Sequence, residues 1–78
     1  MKNPTDIMQA ALDHSFQRCE ELESNSASGW VDTEFGRVQV NIVIADGRVA
    51  IRNRQFRKNW ELNGKRISAA KLQLALSA

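Results

Sequence analysis

Gly36-Arg37-Val38-Gln39-Val40-Asn41-Ile42-Val43-Ile44 is the stretch whose reading decides the fold. Val38, Val40, Ile42 and Ile44 alternate with Arg37, Gln39, Asn41 and Val43. A period of two puts the first set on one side of a strand and the second set on the other. The result is a half-buried strand with a single core face. Cations follow glycine at three places, Gly36-Arg37, Gly47-Arg48 and Gly64-Lys65-Arg66. Asp46-Gly47 and Asn63-Gly64 are dipeptides suited to a type I′ hairpin, in which both central residues take positive φ. Working outward, Val49 and Ile51 continue the core face on a next strand, with Arg48, Ala50 and Arg52 outside. Residues 30–35 supply an earlier, shorter strand and residues 56–62 a later one. These strands read as an antiparallel meander.

Helices flank the meander. Asn3-Pro4 offers an N-cap with proline at the first helical position, and Thr5 competes as the cap. Met8, Leu12, Phe16, Cys19 and Leu22 recur at steps of three and four, widened by Ile7 and Ala11, so residues 4–23 form a helix that buries one side. Gln9, Asp13, Gln17, Glu20 and Glu21 lie opposite. Ser24-Asn25-Ser26-Ala27-Ser28-Gly29 is polar and turn-prone, and reads as a loop. At the other end Ser68 caps a short helix, and Ile67 staples against Leu72. Ala69, Leu72, Ala75 and Leu76 share its inner side, while Leu74 falls away from it. The expectation is one α+β domain over residues 1–78, with a three- or four-stranded antiparallel sheet and both helices on one face.

The 78 residues carry one cysteine, so no disulfide can form within the chain, and the lone thiol suits a cytoplasmic setting. No apolar run approaches the length of a membrane span, and acids rather than an apolar stretch follow the N-terminus, unlike a secretory signal. The net charge of +2 hides a strong asymmetry. Residues 1–35 hold two cations against seven acids, net −5, and residues 36–78 hold nine cations against two acids, net +7. An anionic partner would suit the second half. The competing account is that the acidic helix neutralises the basic sheet.

No catalytic constellation emerges. His14 and Cys19 are five apart on a helix, about 140° around its axis, and cannot share a metal. Cys19 falls on the apolar stripe as a small core residue, and His14 reads as solvated. Ser15 beside His14 points elsewhere on the helix, and no nucleophile elbow or glycine-rich phosphate motif occurs. The chain is therefore expected to be non-enzymatic and to need no cofactor or metal.

The basic segment is the feature above background. Residues 48–60 interleave Arg48, Arg52, Arg54, Arg57 and Lys58 with Phe56 and Trp60. On a straight strand, Arg48, Arg52, Arg54, Phe56, Lys58 and Trp60 would share one face, the arrangement by which sheets stack bases and track phosphates. A turn or bulge at residues 53–55 would instead send Phe56, Trp60 and Leu62 to the core face. The cations stay exposed either way. The leading expectation is a module that binds nucleic acid through Arg48, Arg52, Arg54, Arg57, Lys58, Lys65 and Arg66. The alternative is a small protein-interaction or inhibitor module docking on a larger protein, with a homodimer also open. If residues 53–55 reverse the chain, Arg48, Lys65 and Arg66 converge at one end of the sheet, with Arg37, Arg54 and Arg57 at the other.

Overall fold

The structure, a computed structural model, describes residues 3–44 and 56–77. Helix α1 spans Pro4–Leu22. Asn3 caps it, its Oδ1 accepting from Asp6 N–H at 2.8 Å, with Pro4 at the first helical position. Glu23 ends it in the left-handed region (φ 50°), where Ser24 N–H donates to the Cys19 carbonyl at 3.0 Å. Four strands follow: β1 Ser26–Thr33, β2 Gly36–Ile44, β3 Phe56–Leu62 and β4 Lys65–Ile67. They pair in chain order, each antiparallel to the next. Helix α2 covers Ala69–Ser77, and its first turn is capped by Ser68 Oγ, which accepts from Lys71 N–H at 3.2 Å. This is the α+β arrangement expected of the sequence.

One face of the sheet carries the core. Val38, Val40, Ile42 and Ile44 of β2 are buried there with Trp60 of β3, under Ile7, Met8, Ala11, Leu12 and Cys19 of α1 and Leu72 and Leu76 of α2. Phe16 of α1 meets Phe56 of β3 edge to face, with ring centroids 4.9 Å apart. The register that pairs Val40 with Trp60 and Ile44 with Phe56 puts both rings on the helix side. Burial of aromatic area outweighs any gain from displaying it in a domain this small.

Two expectations are corrected. Ser26-Ala27-Ser28-Gly29 forms the first half of β1, not a loop. Small polar residues are tolerated because Ala27 and Gly29 face α1, and the helix lies so close that a Cβ on Gly29 would collide with backbone atoms of Ala11 and Ser15. Leu22, at the last turn of α1, is exposed rather than buried, since the sheet no longer lies beneath it. The strand beside β2 over Val38–Ile44 is Phe56–Leu62, and the strand expected through Val49 and Ile51 lies outside the described residues.

The two hairpins at one end of the sheet are tied together. Asn63 (φ 54°) and Gly64 (φ 81°) have the paired positive φ of a type I′ turn between β3 and β4. The Asn63 side chain accepts from Arg37 N–H at 3.1 Å and donates to the Phe35 carbonyl at 3.4 Å, joining this turn to the β1–β2 turn. Gly36 makes room for it, because a Cβ there would strike the Asn63 side chain.

Candidate functional site

The other face of the sheet is covered by no element among the described residues. By register it presents Ser28, Trp30 and Asp32 of β1, Arg37, Gln39, Asn41 and Val43 of β2, Arg57, Asn59 and Glu61 of β3, and Arg66 of β4. Asn41 is its centre. Its Oδ1 accepts from Ser28 Oγ at 2.5 Å and Gln39 Nε2 at 2.8 Å. Its Nδ2 donates to Asn59 Oδ1 at 2.8 Å and to Glu61 Oε2. Both lone pairs and both protons of the amide are engaged, which makes a preorganised polar plateau.

Cations stand around the plateau. Arg57, opposite Val43, lies toward the end where β2 stops and β3 begins; Arg66, opposite Glu61, lies toward the hairpin end. Both are exposed. Lys58 and Lys65 are exposed too, but their register positions, opposite Ile42 and Leu62, belong to the helix side of the sheet. Lys58 Nζ sits 5.6 Å from the centroid of the Phe56 ring. The seven sequence-designated cations are therefore not one face. Arg48, Arg52 and Arg54 lie outside the described residues. Arg57 and Lys58 occupy the end of the sheet where Ile44 faces Phe56. Arg37 is at the opposite end, bonded to Asn63, and so groups with Lys65 and Arg66 rather than with Arg57.

The neutralised-sheet account finds no support among the described residues. The one ion pair there is Arg37 with Asp32, a two-pronged contact of 2.7 and 3.3 Å within the sheet. The hydrogen bond from Arg37 holds the Asp32 carboxyl below its usual range. On α1, Asp13 and Glu21 accept instead from Gln9 and Gln17, one turn earlier.

Sequence reasoning missed the outer edge of β1. His14 is not a free surface group: its Nδ1 accepts from Trp30 N–H at 3.1 Å, and its ring meets the indole edge to face with centroids 4.7 Å apart. Arg18, one turn further along α1, brings its Cζ to 4.9 Å from the same indole centroid, and Arg37 brings its own to 5.5 Å. The signal available was the i, i+4 spacing of His14 and Arg18, which became informative only once β1 was placed. Cys19 is buried at 2% exposure, and burial pushes its thiol up. Among the described residues no three His, Cys, Asp or Glu side chains gather as metal ligands would, and no helix is long and apolar enough to cross a membrane. A groove of about 630 Å³ lies between the first turn of α1, the β1–β2 turn and the end of α2, floored by Ile7, Val31, Phe35 and Leu76.

Fold and site together define a small α+β domain, a four-stranded antiparallel sheet backed by two helices, with a polar open face that carries Arg37, Arg57 and Arg66. No protein-family model, curated protein or solved structure matches the chain.

Proposed function

We propose that this protein is a cytoplasmic, non-enzymatic module that binds nucleic acid, using the open face of its sheet and the basic segment joined to it. The observation that carries the reading is the lack of internal neutralisation: among the described residues the acids of α1 pair with no sheet cation, and Arg57, Lys58, Lys65 and Arg66 are exposed and form no ion pair. Of these, Arg57 and Arg66 lie on the open face beside the plateau of amides, and exposed, unpaired cations there suit phosphate neutralisation combined with weak reading of base edges. By sequence, residues 45–55 carry the further cations Arg48, Arg52 and Arg54.

The test is a binding titration on mixed DNA and RNA from low to physiological salt. Contact with four or five duplex phosphates gives a log–log salt slope of about −4, from about −0.9 per phosphate. Charge reversal at Arg57 and Arg66 flattens that slope by about two without unfolding the domain. Absence of binding at low salt removes this reading in favour of a protein-interaction or inhibitor module. For that second reading the favouring observation is the apolar groove between the helices and the β1–β2 turn, which a larger protein partner or a second copy of the chain could fill.

A further inference from the structure

Building on the nucleic-acid reading, we infer that the outer edge of β1 is a phosphate subsite for a single strand, formed by Arg18 and Arg37 and held in shape by Trp30. Two anchors, one from the helix and one from the sheet, fix the arrangement. The His14–Trp30 hydrogen bond of 3.1 Å ties α1 to the edge strand at a backbone N–H that points away from β2. That tie delivers Arg18, four residues on and on the same side of the helix, to the indole. From the sheet side, Asp32 grips Arg37 with two contacts and leaves its guanidinium 5.5 Å from the same ring centroid. Stacking on an aromatic ring orients a guanidinium while leaving its in-plane N–H groups free to fork onto an oxyanion.

The charges support an anion rather than a purely structural cluster. Asp32 offsets one of the two cations, and Arg18 has no acidic partner among the described residues. Its Nε is buried without a hydrogen-bond partner. Two guanidinium groups already lie against Trp30, so the ring serves as a positioning residue and a base does not need to stack on it. From this edge the plateau of Gln39, Asn41 and Asn59 leads toward β4 and Arg66, three strand spacings or about 14 Å away. A single strand can lay its bases flat on such a surface. Duplex readers insert a helix or ribbon into a groove about 12 Å wide, and here both helices lie behind the sheet.

The experiment uses the full chain and a labelled oligothymidylate of about fifteen nucleotides, with a hairpin duplex of the same length as comparison. Anisotropy gives affinity across salt. The change of indole emission on binding reports on Trp30, because Trp60 is only 5% exposed and out of a ligand's reach. Arg18→Gln and Arg37→Gln are each expected to weaken single-strand binding about three- to tenfold and to flatten the salt slope by about 0.7. Trp30→Leu is expected to weaken binding, with Trp30→Phe restoring most of it. Arg37 is exposed, so its variant remains informative if Arg18→Gln loosens α1. Unchanged slopes in a wild type that does bind, with losses confined to Arg57→Gln and Arg66→Gln, overturn this subsite and leave the nucleic-acid reading standing. Equal affinity for the duplex overturns the single-strand assignment. Equal response of Trp30 to polyglutamate makes this edge a carboxylate site and overturns its assignment to nucleic acid. No binding to any nucleic acid at low salt overturns both readings.

Discussion

On its helix side β2 presents Val38, Val40, Ile42 and Ile44, none more than 3% exposed; on its open side, one residue along, Asn41 is only partly covered and is hydrogen-bonded to four polar side chains. The two faces are made by one strand and stabilised by opposite means. The helix side gains from removing apolar area from water, which rewards shape and tolerates little change in volume. The open side gains from satisfied hydrogen bonds, each worth little in net terms because water competes for the same groups. A face of the second kind can exchange its bonds with a ligand at small cost, whereas a face of the first kind cannot be opened without unfolding. Function is therefore sought on the open side.

That contrast breaks most directly at Trp60. Trp60→Ala empties the middle of the helix side and is expected to cost about 3–5 kcal/mol in urea denaturation. A loss below about 1 kcal/mol would mean that the ring contributes no core, and the two faces would no longer differ. Gly29→Ala tests how tightly the helix is seated. The added methyl meets backbone rather than a flexible side chain, so α1 must shift, at about 1–3 kcal/mol; full stability in a thermal melt would show that the close approach is not needed.

Asn41→Ala sharpens the comparison from the other side. Removing the hub of the polar plateau is expected to cost only about 1 kcal/mol, since Gln39, Asn59 and Glu61 regain water. A cost comparable to that of Trp60→Ala would make the open face a second core. The smallest effect belongs to the exposed Arg37–Asp32 pair. Its hydrogen bond lowers the Asp32 carboxyl in the folded state, so its contribution is present above the usual carboxylate range and is lost as pH falls through the folded value. Comparing acid unfolding of the wild type with Asp32→Asn checks this, the variant being expected to lose that small component of the pH dependence.

The alternation of residues 36–44 was enough by itself to determine a half-buried strand, and the apolar stripe of α1, the Asn3 and Ser68 caps and the Asn63-Gly64 turn were equally legible. Each of these depends on neighbours within a few residues, where side-chain direction and backbone preference follow from spacing alone. Tertiary structure decided the rest. Phe56 and Trp60 turn inward because pairing with β2 sets their register, and register depends on a partner strand far away in sequence. Ser26-Ala27-Ser28-Gly29 becomes a strand because a helix needs small residues beneath it, which no local propensity records. Lys58 and Lys65 part from Arg57 and Arg66 for the same reason of register, and His14, Arg18, Trp30 and Arg37 meet only once α1 is laid against the edge of the sheet. A site assembled from three elements has no spacing in the chain, so its chemistry becomes readable only after the chain has folded.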